Sequence, residues 1–291
     1  MVVEVLNNMK EINLFLTKEG KWVTNKSLLD TLFSIKADQC EILYIHTSLS
    51  FGTPNPDIKK KALLGEILNV IKNLGVRTIC MPTFTFSFCN GKSYNPTESS
   101  SRMGALNEFF RKQEGVFRSV DPLMSVALMG EDTDLVQGIG HSSCGACSTF
   151  DKLRHRDNVK FLFLGPKIGD CMTYMHYLEW LYSVDYRYER VFRGKIISEG
   201  KEYNDEYALF VRYNSVVPNV ASYEYEQRMY ENGTAVITEC GDGTISIVGE
   251  KEASSEYFKC LNENPHFFVD FVDGNFIKDK TFRIEREMVA L

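Results

Sequence analysis

Apolar and polar positions follow a regular order along the first part of the chain. Short apolar runs such as Ile42–Ile45 and Phe161–Leu164 predict buried strands. Between such runs, apolar residues recur with a helical period, most clearly over Lys59–Leu74, and Gly75 then predicts a helix end. Strands separated by helices predict an α/β fold, with a mostly parallel central sheet covered by helices on both faces.

The pattern of apolar and polar residues divides the chain into two parts. Residues 1–185 form the predicted α/β core, and residues 186–291 are richer in aromatic and β-branched patterns, which predicts an appended β-rich C-terminal lobe. Within the lobe, Cys240–Thr244 has the pattern of a hairpin turn, Glu250–Cys260 predicts a helix, and a final pair of strands is expected around Gly274. Further expected strands are Val76–Met81, Ser125–Met129 and Val159–Leu164, and further expected helices are Leu28–Phe33, Met103–Lys112, Asp132–Val136 and Thr149–Leu153.

Composition and charge exclude several classes of protein. With 44% hydrophobic and 25% charged residues, the 291-residue chain can bury a substantial core. It contains no apolar run long enough for a membrane span and no basic, apolar leader at Met1–Lys10, so we expect a cytoplasmic protein without membrane contacts. A net charge of −6 without a dense Lys/Arg block argues against a nucleic-acid partner. The 8 cysteines are too dilute for a disulfide scaffold and are expected to be reduced.

The segment Asp170–Glu179 has the strongest chemical pattern in the chain. It follows an apolar run and a glycine-rich turn, and Asp170 is a plausible helix N-cap. On one helix, Thr173 and Glu179 each lie three residues from His176 and therefore flank it. A helix N-terminus disfavours imidazolium, and a carboxylate fixes the tautomer, so the pattern predicts His176 as a general base. The alternative is an ordinary buried histidine with a hydrogen-bond partner.

A second cluster allows a different class of protein. His141, Cys144, Cys147 and His155 could supply four zinc ligands, which would make the chain a zinc-containing interaction protein. Small reduced thiols packed in a core are the simpler interpretation, and no metal is expected. A serine hydrolase is a weaker hypothesis because the chain has no Gly-x-Ser-x-Gly nucleophile elbow.

Read together, several loops resemble the aminoglycoside 3-N-acetyltransferase family, also called the antibiotic N-acetyltransferases. The resemblance extends over about residues 40 to 190, and it departs from the family at Gly145–Thr149, where a Gly-x-x-Ser-Pro turn is typical. The motifs are His46-Thr-Ser-Leu49 with Gly52, Met81-Pro-Thr-Phe-Thr85, Met103-Gly104 with Phe110-Arg111, Arg118-Ser-x-x-Pro122-x-x-Ser125, Thr173-x-x-His176-x-x-Glu179 and Tyr186-Arg187.

This resemblance implies direct acyl transfer from a coenzyme A thioester, acetyl or short hydroxyacyl, to an amine on a sugar. His176 would then be the base, Glu179 would orient its ring, and Thr173 would be a supporting hydroxyl. Residues 1–185 would bind acyl-CoA, and residues 186–291 would bind the acceptor or form a homo-oligomer interface. The cofactor-binding residues expected are His46, Thr47, Ser48, Leu49, Thr83, Phe84, Thr85, Arg118, Ser119 and Ser125.

Two acceptors remain open. A polycationic aminoglycoside calls for an acidic pocket. A nucleotide-linked amino sugar, such as a dTDP-3-amino-3,6-dideoxyhexose, carries a diphosphate and a flat base, and these call for arginines near aromatic rings. Tyr186, Arg187, Arg212 and Tyr213 are the expected substrate-binding residues, and their types favour the nucleotide-linked sugar.

Overall fold

A computed structural model of the chain describes residues 9–274. Its strands are β1 (Asn13–Leu16), β2 (Trp22–Thr24), β3 (Ile42–Thr47), β4 (Thr53–Pro54), β5 (Thr78–Pro82), β6 (Val116–Arg118), β7 (Val126–Gly130), β8 (Val159–Leu164), β9 (Arg187–Ser198), β10 (Lys201–Arg212), β11 (Val216–Pro218), β12 (Ala235–Cys240), β13 (Gly243–Gly249) and β14 (Val269–Phe271). Its α-helices are α1 (Asn25–Ser34), α2 (Lys60–Lys72), α3 (Ala105–Phe110), α4 (Thr149–Arg154), α5 (Ile168–Cys171), α6 (Met175–Tyr182), α7 (Ala221–Glu231) and α8 (Glu250–Glu263). No helix in this part of the chain is both long and apolar enough to cross a bilayer.

The central sheet has seven strands in the order β12-β13-β8-β3-β5-β7-β6. Strand β3 runs parallel to β8 and to β5, whereas all the other neighbours in this sheet are antiparallel. The prediction of a mostly parallel sheet was therefore wrong, and the fold is a mixed α/β one. The reason is that short connections, such as the one between β12 and β13, can join only antiparallel neighbours.

The strands of the C-terminal segment are divided between the central sheet and two separate two-stranded sheets. Strands β12 and β13 pair as the expected hairpin, and β13 also pairs with β8, so the hairpin extends the central sheet. The boundary predicted at residue 185 therefore does not separate two sheets. Strands β9 and β10 form a separate antiparallel ribbon, in which Arg187 pairs with Arg212 at one end and Ser198 pairs with Lys201 beside the turn. Of the strands expected around Gly274, β14 pairs with β11, and the remainder lies outside the described residues.

Buried side chains alternate between two clusters along the central strands. On β3, Ile42 and Tyr44 belong to one cluster, and Leu43 and Ile45 belong to the other. Helix residues contribute to both clusters, for example Tyr257 of α8 to the first and Ile67 of α2 to the second. Burial on both sides explains why these strands read as continuous apolar runs rather than as alternating patterns.

The parallel strands β3, β5 and β8 end at one edge of the sheet, and this edge positions the site. The loops that follow them meet there, as expected for ligand sites in α/β folds. Gly165, directly after β8, has a φ of +99°, and a Cβ at this position would lie 2.6 Å from Oγ of Ser48. The close approach of the two loops therefore requires a glycine.

Candidate active site

A cavity of about 500 Å³ opens at this edge of the sheet. It brings together all three predicted catalytic residues and some of the predicted ligand-binding residues. Among the predicted residues, those that line it are His46, Thr47, Thr173, His176, Glu179, Arg187 and Arg212.

The helix that carries the predicted base is shorter than expected. The chain leaves helical geometry at Met172, where ψ is 80°, so α5 and α6 are two helices rather than one. Asp170 lies inside α5 and does not cap a helix, and Thr173 precedes α6 instead of lying on it. His176 is nevertheless in the first turn of α6, and Glu179 is one turn further on, so their predicted proximity is confirmed.

Glu179 is a buried carboxylate at the centre of the site, with only 4% of its side chain exposed. Its Oε2 lies 3.2 Å from Nδ1 of His176 and 2.8 Å from Nε of Arg187. The hydroxyl of Tyr186 donates a hydrogen bond of 2.8 Å to Oε1. Tyr186 and Arg187, both predicted to bind substrate, therefore contact Glu179, and Tyr186 does not line the cavity.

The electrostatics of this group keep the carboxylate ionised and the imidazole neutral. Burial raises the pKa of Glu179, but Arg187 and the hydrogen bonds from His176 and Tyr186 outweigh it and lower this pKa to about 2. Burial and the nearby Arg187 charge lower the pKa of His176 from its ordinary value of 6.5, against the opposing effect of Glu179. At neutral pH the ring can therefore accept a proton.

The polar contacts of the His176 ring lie at Nδ1. Nδ1 lies 3.2 Å from Oε2 of Glu179 and 3.1 Å from Nη2 of Arg187. The side chain is 36% exposed and lines the cavity. When Nδ1–H donates to Glu179, Nε2 carries the lone pair that a general base needs.

Three buried polar groups near the cavity lack partners. His46 is 4% exposed, its ring stacks on Phe163 at 5.1 Å, and burial lowers its pKa to about 3, so it is neutral. Nε2 of His46, Oγ1 of Thr173 and the hydroxyl of Tyr44 have no hydrogen-bond partner within residues 9–274. Buried polar groups are normally satisfied, so this patch is suited to a water or a polar ligand atom. Sequence reasoning missed Tyr44 because it lies in an apolar strand.

Several predicted cofactor residues are engaged in loop structure instead of lining the cavity. The Arg118 guanidinium donates to the carbonyl oxygens of Thr83, Pro96 and Ser99. The Ser125 hydroxyl donates to the carbonyl of Thr83, and the Ser119 hydroxyl accepts from the amide of Val126. These contacts hold the loops after β5 and β6 in place.

Thr47 ends β3, and the remaining predicted cofactor residues lie on the loops after β3 and β5. The hydroxyls of Ser48 and Ser50 lie 3.1 Å apart, and those of Thr85 and Ser87 lie 2.8 Å apart. Thr47 donates to the side-chain oxygen of Asn107 at 2.6 Å. Phe84 is buried, and Leu49 packs on the second core cluster.

The four residues of the zinc hypothesis do not converge. His141 pairs with Asp205 at 3.1 Å, and Nδ1 of His155 lies 2.8 Å from the carbonyl oxygen of Asp151. Cys144 is buried, whereas Cys147 is exposed. Across residues 9–274, no group of three or more His, Cys, Asp and Glu side chains is placed to hold a metal ion. The placement of these side chains therefore gives the zinc hypothesis no support.

The site thus places a neutral histidine, hydrogen-bonded to a buried carboxylate, at the ends of the parallel strands of a mixed α/β fold. Residues 45–261 match the aminoglycoside 3-N-acetyltransferase family, and the chain belongs to that family. The resemblance seen in the loop motifs is thereby confirmed. A comparison with curated proteins found no match.

Solved structures share this fold. YokD from Bacillus subtilis is 19% identical with a TM-score of 0.67, over 83% of this chain and 94% of its own. AAC-IIIb, in a binary complex with CoASH, is 15% identical with a TM-score of 0.70, over 82% of this chain and 96% of its own. AAC-VIa, bound to sisomicin, is 16% identical with a TM-score of 0.69, over 82% of this chain and 97% of its own.

Proposed function

We propose that this chain transfers an acetyl or short acyl group from a coenzyme A thioester to the amine of an amino sugar, in a ternary complex. The observation that carries the proposal is the pairing of His176 with buried Glu179 beside a cavity of about 500 Å³, in a chain of this family. The CoASH complex of AAC-IIIb supports the same class of donor.

In this reaction the neutral amine nitrogen attacks the thioester carbonyl carbon. The C–N bond forms, the C–S bond breaks, and coenzyme A leaves as a thiolate that takes up a proton. The amine loses its proton to Nε2 of His176, and Glu179 stabilises the imidazolium through Nδ1. Arg187 keeps Glu179 ionised, and the loops after β3 and β5 are the proposed binding region for coenzyme A.

An amino sugar is the acceptor class that the relatives support. The sisomicin complex of AAC-VIa favours an aminoglycoside at the level of the family. The comparisons do not support the nucleotide-linked sugar, and the residues that favoured it are partly engaged elsewhere. Tyr186 and Arg187 contact Glu179, and Tyr213 is 7% exposed with its ring 4.7 Å from that of Tyr188.

The test is the rate of coenzyme A release from acetyl-CoA in the presence of an amino sugar. His176→Ala should lower kcat by about a hundredfold or more, because general-base catalysis is worth this much. His141→Ala is the matched control, since this histidine is exposed and pairs with Asp205 outside the cavity. A folded His176→Ala variant with a near-normal rate would overturn the assignment.

A further inference from the structure

The charges around the cavity do not suit a polycation. Among the described residues that line it, Asp170 and Glu179 are the acidic ones, and both already accept hydrogen bonds. Glu179 is held by Arg187 and Tyr186, and Asp170 accepts from the hydroxyl of Tyr223 at 2.5 Å. An acceptor with several ammonium groups would therefore meet no carboxylate that lacks a donor.

Cations outnumber carboxylates in the same lining. Arg102, Arg187 and Arg212 all contribute to the wall of the cavity. Arg187 is committed to Glu179, at 2.8 Å. A second ammonium on the acceptor would lie in the field of these guanidinium groups, which costs free energy in a partly enclosed site.

Arg102 differs from Arg187, whose side chain is paired with Glu179. Its backbone amide donates to the carbonyl of Phe84, and its side chain is exposed, lines the cavity and has no hydrogen bond or ion pair within residues 9–274. A guanidinium presents a planar fork of donors that matches a phosphate or carboxylate. This residue directly precedes the Met103-Gly104 motif, and no sequence pattern singled it out.

We infer that the acceptor carries a phosphate group that binds Arg102 while its amine reaches His176. The inference rests on the proposed function, because the amine must enter the cavity that Arg102 also lines. Electrostatic complementarity would then select the substrate: the anion is attracted by Arg102, and a polycation finds no free carboxylate.

The test compares four amines: glucosamine, glucosamine 6-phosphate, UDP-glucosamine and sisomicin. Coenzyme A release from acetyl-CoA gives kcat/KM for each, and calorimetry in the presence of coenzyme A gives binding without turnover. The variants are Arg102→Gln and, as the matched control, Lys167→Gln. Lys167 lies over the ring of Tyr223 at 5.2 Å, close to the cavity but outside its lining.

At least one anionic sugar should exceed both glucosamine and sisomicin in kcat/KM by about tenfold or more, as one charge-assisted contact can provide. Arg102→Gln should lower kcat/KM about tenfold for the anionic sugar alone, and it should leave KM for acetyl-CoA within about twofold of the wild-type value. Lys167→Gln should preserve the preference. Binding of an anionic sugar that needs Arg102, without acetyl transfer, would contradict the proposed function and would confirm Arg102 only as an anion-binding residue.

Three results would overturn the inference. The first is a kcat/KM for sisomicin that is higher than those of both anionic sugars. The second is a failure of both anionic sugars to bind, or binding that Arg102→Gln leaves unchanged. The third is a rise in KM for acetyl-CoA alone in Arg102→Gln, which would show that the anion is a phosphate of coenzyme A.

Discussion

Arg187 should set the pH at which the proposed base becomes active. Its Nη2 lies 3.1 Å from Nδ1 of His176, and its Nε lies 2.8 Å from Oε2 of Glu179. With 8% of its side chain exposed, Arg187 acts on both partners with little screening by solvent. Replacing it by Met keeps an unbranched side chain of similar length and removes the charge.

The size of the effect follows from this geometry. A charge within about 4–6 Å of a titrating group shifts its pKa by about 1–3 units. Arg187 lowers the pKa of His176, so its removal raises that pKa, and Glu179 then stabilises the imidazolium without a competitor. The base is active when deprotonated, so activity should be lost at a higher pH in Arg187→Met than in the wild type.

The assay is the profile of kcat/KM for the amine from about pH 5 to about pH 9. The acidic limb of Arg187→Met should move to higher pH by about 1–3 units, whereas Arg187→Lys, which keeps a charge, should move less. Thermal unfolding at high pH confirms that each variant is folded. An acidic limb that coincides with that of the wild type would refute the role of Arg187 and the placement of its charge beside the imidazole.

Two further predictions concern stability. The pKa of His46 is about 3 in the folded protein against an ordinary 6.5, so the free energy of unfolding of the wild type falls as the pH drops from 6.5 toward 3. His46→Phe keeps a ring on Phe163 and should reduce the slope of the urea-unfolding free energy against pH in this range by about 1.4 kcal/mol per pH unit. Equal slopes for the two proteins would contradict a buried neutral His46. Gly165→Ala should destabilise the fold by about 1–3 kcal/mol, because φ is +99° and the new Cβ would meet the loop of Ser48; an unchanged Tm would show that the two loops can separate.

Local patterns predicted the elements around the site well. Strand β8 has the predicted bounds, Val159–Leu164, and the helices α2 and α8 begin within a residue of their predicted starts. The spacing of His176 and Glu179 also predicted their contact, because one helical turn places them on the same face. Information within about one turn or one strand was enough for these features.

Features that depend on distant partners could not be predicted in this way. The pairing of β13 with β8 joins segments far apart in the chain, and an apolar run does not specify the direction of its neighbour. Arg118 has the residue type of a phosphate ligand, but its donors satisfy carbonyl groups of the loops around it. Arg102, by contrast, gave no signal, since its position in the cavity depends on the loop that follows β5.

The most direct test of the account is mass spectrometry of the amine after incubation with acetyl-CoA, for wild type and His176→Ala in parallel. Calorimetry should first show that both proteins bind coenzyme A. The wild type should yield an N-acetylated sugar, and the variant should yield about a hundredfold less at the same coenzyme A occupancy. Equal product from both proteins would contradict His176 as the base, and failure of the wild type to bind coenzyme A would contradict the acyl-transfer function itself.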